Sequence, residues 1–239
     1  MFGIQVKIDK QVLVAALPIM MGYFPLGLAC GVLAGSVGLS TMDIALMSIF
    51  VFAGSGQFIA LAMMGSGAAA ISSIVLTTFI VNLRHLLYSS TLVKYIGSGS
   101  RAYHMAFSQE IVDETFAVNE NRFSDENVSW TMPQALGLAY ASHAAWVIST
   151  VLGQILGSMV DIDITLVGYT LTAMFIGLWS FHFKNHRLII VGLFAGVLAL
   201  WLSTFLDYKL HIVISTVVAA TVGMLWENSV QKKDEEVAA

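Results

Sequence analysis

The sequence predicts an all-α fold, a polytopic membrane bundle of about six to seven helical segments, with broken helices near Pro18–Gly27 and Gly54–Gln57. Three observations carry that prediction. Of 239 residues, 57% are hydrophobic and only 11% are charged, against roughly 25% charged in a soluble domain. The 11 basic and 15 acidic side chains are gathered rather than spread, 16 of the 26 falling in residues 1–10, 98–127 and 231–239. Apolar runs such as 51–62 and 188–200 lack the strict alternation of barrel strands, which excludes a transmembrane barrel.

A helix needs roughly 20 residues to cross a hydrocarbon core about 30 Å thick. Seven pieces meet or approach that length: 11–37, 44–64, 68–93, 128–159, 164–183, 188–206 and 210–226. The first follows Lys7 and Lys10, and its uncharged stretch from Gln11 to Met42 is too long for a cleaved signal, so it is read as a retained segment. Pro18, Gly22, Pro25 and Gly27 predict an interruption in it, because each proline removes a backbone donor and clashes with the preceding turn. The second carries Ala53-Gly54-Ser55-Gly56-Gln57 at its middle, where glycines weaken a helix by about 1 kcal/mol each.

Charge then orients the chain. Lys94, Arg101 and Arg122 read as inside, Asp161 and Asp163 as outside, Lys184 and Arg187 as inside, Asp207 with Lys209 as outside, and Lys232 with Lys233 as inside. Lys7 and Lys10 also argue for an inside N-terminus, so an even number of crossings must precede Lys94. Either the 44–64 piece enters and returns, or the N-terminus lies outside despite its lysines. The whole of 1–239 reads as one membrane domain, with 98–127 an amphipathic segment on the cytoplasmic side: Tyr103, Phe107, Ile111 and Val118 follow helical spacing, and Glu110, Asp113 and Glu114 gather on the other face. Trp130, Trp201 and Trp226 fall near segment ends, as interfacial anchors do.

Several function classes drop out. The net charge of −4 has no basic stripe, so nucleic acid is excluded as a partner. No GxxxxGK[ST] run is present, which excludes a P-loop ATPase. The lone Cys30 packs as a small hydrophobe. His182 and His186 have the spacing of helix metal ligands but lack the glutamate and a third ligand, so they read as a basic interfacial turn; neither metal nor cofactor is expected.

The polar residues that remain point to transport. Unwound backbone at membrane depth is tolerated only inside protein or along a watery cavity, and transporters bind substrate at such breaks. Gly54, Ser55, Gly56 and Gln57 are therefore read as substrate-binding, their freed amides facing a carboxylate, with Asn82 and Arg84 beside them. Arg84 costs about 2.5–3.5 kcal/mol at the membrane centre, so it either meets a carboxylate or cavity or snorkels toward the headgroups. Gly65, Gly67, Gly153 and Gly157 read as packing residues, the Gly153–Gly157 face being able to accept a neighbouring helix. An alternative from another class is an intramembrane serine protease with Ser55 as nucleophile and His143 as base, although Ala53 stands where that motif has glycine.

Gly22-Tyr23-Phe24-Pro25-Leu26-Gly27, Gly38-Leu39-Ser40, Phe52-Ala53-Gly54-Ser55-Gly56-Gln57-Phe58, Asn82-Leu83-Arg84-His85-Leu86-Leu87-Tyr88 and Asp113-Glu114-Thr115-Phe116 together resemble the AzlC family, large subunits of bacterial branched-chain amino acid exporters. The resemblance runs from about Leu17 to Leu225. It implies a multi-pass protein of the bacterial inner membrane that exports leucine, isoleucine, valine and similar hydrophobic amino acids, methionine among them, together with a small AzlD-like membrane subunit. A zwitterion has no net charge for the membrane potential to act on, so uphill export needs a coupled ion. A proton is the expected ion, with Asp113 or Glu114 as carrier and Arg84 as its electrostatic partner.

Overall fold

The structure is a computed structural model and describes residues 5–65, 67, 69–96, 101–159, 169, 176, 186–206 and 210–238. It divides into two units, Met1–Leu171 and Thr172–Ala239. In the first, the helices are α1 (Lys10–Ser36), α2 (Thr41–Val51), α3 (Gly54–Gly65), α4 (Ile71–Leu92), α5 (Arg101–Gln109), α6 (Asp113–Ser124) and α7 (Met132–Gly157), with a 3-10 turn at Val93–Tyr95. In the second they are α8 (His186–Leu202) and α9 (Leu210–Ala238). Lys10–Ser36, Ile71–Tyr95 and Met132–Gly157 are long and apolar enough to cross a membrane. Apart from residues 169 and 176, the segment 164–183 lies outside the described residues, as do Asp161, Asp163 and His182.

The frame of the first unit is a parallel pair, α1 and α7. At their starts the Lys7 N–H donates to the Pro133 carbonyl at 2.9 Å, and Gln134 Nε2 donates to Asp9 Oδ2 at 2.9 Å. Just past the other end of α1, Thr41 Oγ1 donates to Gln154 Oε1 at 2.6 Å. Small residues bring the two backbones together: a Cβ on Gly31 would lie 2.0 Å from the Thr150 carbonyl oxygen, and one on Gly153 2.2 Å from that of Leu28. The Gly153–Gly157 face is thus filled by α1 of the same chain and is not open to another subunit's helix. Cys30 is fully buried in the same seam.

The interruption predicted at Pro18–Gly27 is absent, since α1 runs unbroken through both prolines. Prolines are tolerated in a membrane helix where neighbours stabilise the disturbed turn. Packing against α7 does this, and Ser149 Oγ donates to the Tyr23 carbonyl within that stretch at 3.2 Å.

Between α1 and α4 the chain enters only halfway. Ser40 caps α2, its hydroxyl accepting from the Asp43 N–H while Asp43 Oδ2 accepts from the Ser40 N–H at 2.9 Å. From Thr41, beside Gln154, α2 descends along α7 until the Phe52 ring stacks on His143 at 4.1 Å, and α3 returns until Gly65 meets Val37 at the end of α1. His143 is the twelfth of 26 residues in α7, so the turn lies near mid-depth. The 44–64 piece is therefore the re-entrant one. Its break falls at Phe52–Ala53, where Phe52 has φ 29°, and Gly54–Gln57 form the first turn of α3.

The chain then recrosses as α4 and makes a second half-depth hairpin from the opposite side. The stretch read as one amphipathic helix is two, α5 and α6, turning at Glu110, Ile111 and Val112, all at most 5% exposed. Burial of the apolar pair forces the turn, and Thr115 Oγ1, accepting from the Val112 N–H at 2.9 Å, starts α6. The base of this hairpin lies where α4 ends, Tyr95 and Ser124 hydroxyls being 2.7 Å apart; its tip reaches the first hairpin, with Gln109 Nε2 donating to the Phe50 carbonyl at 3.0 Å. The two halves are inverted copies in plan: a spanning helix followed by a hairpin that enters from the side on which that helix emerges. Trp130 is not an interfacial anchor but a core residue, 8% exposed, its Nε1 donating to Asn119 Oδ1 at 3.0 Å.

The second unit is an antiparallel helix pair, with Gly223 against Val191 and an exposed Arg187–Glu227 ion pair at 2.8 Å. Trp201, at 60% exposure, faces outward from the end of α8.

Candidate functional site

The polar residues of the first unit converge where the hairpin tips meet the middles of the spanning helices. Tyr23 is the fourteenth of 27 residues in α1 and Arg84 the fourteenth of 22 in α4. At that depth Arg84 does not snorkel. Its Nη1 pairs with Asp113 Oδ2 at 2.8 Å, and its Nη2 donates to Ser55 Oγ in the first turn of α3. Tyr88, one turn after Arg84 on the same face, donates from its hydroxyl to Asp113 Oδ1 at 2.5 Å. The neighbouring Glu114 accepts from the Tyr23 hydroxyl at 2.6 Å. One arginine thus joins both hairpins, and two tyrosines fix the adjacent carboxylates.

Asn82 completes this group. A Cβ on Gly56 would lie 2.9 Å from Asn82 Oδ1, so glycine is what admits the amide to the start of α3. Asn82 Oδ1 and Arg84 Nε are buried without hydrogen-bond partners among the described residues. The first intrahelical bond of α3 is made by the Gln57 N–H to the Ala53 carbonyl at 2.8 Å, which leaves the amides of Gly54, Ser55 and Gly56 ahead of it. A cation, unpaired helix-start amides and an unsatisfied side-chain amide in one place match a carboxylate beside a second polar group.

Gln57 is placed differently from the rest of its motif. It is fully buried; Trp146 Nε1 donates to its Oε1 at 2.8 Å, and its Nε2 donates to Ser48 Oγ at 3.2 Å, itself 2.8 Å from the Thr150 hydroxyl. It ties the α2–α3 turn to α7. The ring of Tyr23 stands edge-on to Trp146 at 5.3 Å and to Phe52 at 6.3 Å, so aromatic surface lies beside the polar group.

A second buried pair was legible only in part. His143 Nδ1 lies 2.8 and 3.0 Å from the two Glu110 oxygens, and its Nε2 lies 3.0 Å from the Ser48 carbonyl oxygen. Glu110 therefore leaves the acidic face it was assigned with Asp113 and Glu114. A lone histidine inside a long apolar segment was the available signal, since an ionisable group at that depth requires a partner. The same contacts dismantle the protease constellation: Ser55 is held by Arg84, and both nitrogens of His143 are engaged elsewhere, so no base faces the hydroxyl. Among the described residues no three His, Cys, Asp or Glu side chains gather as metal ligands would.

Residues 18–160 match the family described as AzlC protein. The branched-chain amino acid transport protein AzlC of Bacillus subtilis is 32% identical over 190 residues, covering 77% of this chain and 72% of that protein. The inner membrane protein YgaZ of Escherichia coli is 29% identical over 193 residues, 76% of this chain and 78% of its own. An uncharacterized membrane protein of Archaeoglobus fulgidus is 32% identical over 182 residues, 74% and 77% of the two chains. No solved structure matches the chain.

Proposed function

This chain belongs to the AzlC family and has a membrane transport role, and from that premise we propose that it exports branched-chain and similar hydrophobic amino acids from bacteria by proton antiport. The observation that supports this most is the Arg84 bridge between Ser55 and Asp113 at the meeting point of two half-depth hairpins. A zwitterion inserted there finds a partner at each end. Its carboxylate takes Arg84, the α3 amides and Ser55; its ammonium takes Asp113, with Glu114 adjacent and Asn82 Oδ1 as a neutral acceptor. The aromatic surface of Tyr23, Phe52 and Trp146 receives an apolar side chain. Gln57 acts as a brace for this surface rather than as a ligand.

Proton coupling follows from competition. Asp113 and Glu114 cannot hold both a proton and the substrate ammonium, so loading substrate from the cytoplasm expels the proton that was brought in. The protein works in the bacterial inner membrane beside a small AzlD-like subunit. Sealed vesicles containing the chain, with and without that subunit, test this reading. Leucine, valine and methionine efflux coupled to proton entry supports it; equal efflux in Arg84→Gln, or full export by the single chain, counts against the site or the partner respectively. A double-mutant cycle of Arg84→Gln with Asp113→Asn should show a coupling energy of about 0.5–3 kcal/mol, and additivity would separate the two residues functionally.

A further inference from the structure

Glu110 sits on the same hairpin as Asp113 and Glu114 and faces His143 of α7, yet the competition between ammonium and proton at Asp113 makes no use of either. Their geometry constrains their protonation. A carbonyl oxygen only accepts, so the 3.0 Å contact of His143 Nε2 with the Ser48 carbonyl requires a proton on Nε2. Nδ1 then faces the Glu110 carboxyl at 2.8 Å with one proton between them, on the ring or on the carboxyl. Without that proton, the Nδ1 lone pair and the carboxylate lone pairs confront each other at hydrogen-bond distance. The pair is neutral with one proton and carries −1 without it.

Among the described residues the pair makes no ion pair beyond its own. Against it lie Ser48 and Phe52 from α2 and the turn, Tyr23 from α1 through the Phe52 ring, and Tyr140 from its own helix. None is a cation. Two open cavities reach it: one of about 640 Å³ lined by Glu110, His104, Ser108 and Tyr140, the other of about 320 Å³ lined by His143, Ile49, Tyr140 and Val147. His104, which lines the first, has its Nε2 buried without a hydrogen-bond partner among the described residues. Glu110 lines one cavity and His143 the other, with Tyr140 common to both.

We propose that Glu110 and His143 form a second proton-binding site, separate from Asp113 and Glu114, through which the exchanged proton reaches the substrate site. This rests on the proton-antiport reading above. Water delivers a proton to the Glu110 carboxylate; the proton is held between carboxyl and Nδ1, and it passes on through water to Asp113, at the start of the helix that follows the same hairpin tip, once substrate has left. No bond other than those to the proton is made or broken.

Glu110→Gln is the decisive variant, because its amide donates to Nδ1 and keeps the contact while removing the carboxylate that shares the proton. Reconstituted full-length protein would be given labelled leucine with a gradient of about one pH unit, which supports about tenfold accumulation for one exchanged proton. Wild type should accumulate leucine, and the variant should lose accumulation while keeping leucine counterflow. A variant that still accumulates leucine overturns the proposal, and loss of accumulation only in Asp113→Asn or Glu114→Gln moves the proton to those residues. Counterflow without accumulation in wild type refutes antiport itself, and the site with it. Independently of leucine, nitrogen-labelled histidine should show an Nε2–H tautomer for His143 and a titration step, sought across about pH 5–8 and beyond, that moves to lower pH in Glu110→Gln. A His143 signal identical in the two proteins overturns the pair whatever the vesicles show.

Discussion

Gly31→Ala tests the frame that positions every residue of the site. The added Cβ would stand 2.0 Å from the Thr150 carbonyl oxygen, 2.5 Å from the Gln154 nitrogen and 2.9 Å from the Gly153 carbonyl carbon, all backbone atoms that no rotamer change can move. Restoring an ordinary 3.4 Å contact requires α1 and α7 to part by about 1.4 Å at that level. Overpacking of this kind costs about 1–3 kcal/mol, from which the helix-propensity gain of glycine to alanine, about 0.5–1 kcal/mol, must be subtracted. Gly22→Ala is the internal control: nothing lies within 4 Å of its Cβ, so it should keep the propensity gain and stabilise. Cys30 supplies the readout, being the sole cysteine of the chain and fully buried next to Gly31. Thiol labelling in mild detergent, followed with thermal unfolding, should be slow in wild type and Gly22→Ala and fast in Gly31→Ala, with a lower melting temperature. Equal labelling and equal melting for both alanine variants would refute a backbone-to-backbone seam between α1 and α7.

The hairpin arrangement predicts sidedness: in a Cys30→Ala background, single cysteines at Ser40 and Gly67 should react with an impermeant reagent from the same side, and one at Ser124, at the base of the second hairpin, from the other, the side expected to be cytoplasmic. Opposite labelling of Ser40 and Gly67 would make α2 and α3 one crossing. Gln57→Leu strands the Trp146 indole N–H and should cost about 1–3 kcal/mol of stability; leucine affinity should fall less than in Arg84→Gln, and the reverse order would return Gln57 to direct substrate contact. Asp9 is held below the usual carboxylate range by the Val12 N–H first and by Lys7 next. A lowered carboxyl contributes stability above its unfolded value and loses it as pH falls through the folded one, so acid unfolding monitored by circular dichroism should have a limb that Asp9→Asn flattens. An unchanged limb would assign it to other carboxylates.

Composition and run length alone determined the membrane class and where most apolar helical segments lie, and narrowed 44–64 to a re-entrant piece or a crossing. Those properties depend on local quantities: how much apolar surface a stretch presents, where charge stops it, and where glycines weaken it. Arg84 and Tyr88 were legible as one face for the same reason, because helical periodicity is local. What the prolines of α1 do was decided by tertiary structure. Propensity predicts a break at Pro18–Gly27, and packing against α7, with Ser149 set against Tyr23 and Gly27, keeps the helix continuous through it. Partner choice among the acidic residues was decided there too. Glu110, Asp113 and Glu114 share spacing on paper, but the turn at Glu110–Val112 sends the first to His143 and leaves the others to Arg84 and Tyr23. A buried charge takes whichever partner the fold brings within hydrogen-bond distance, and these partners come from helices 33, 29 and 91 residues away along the chain.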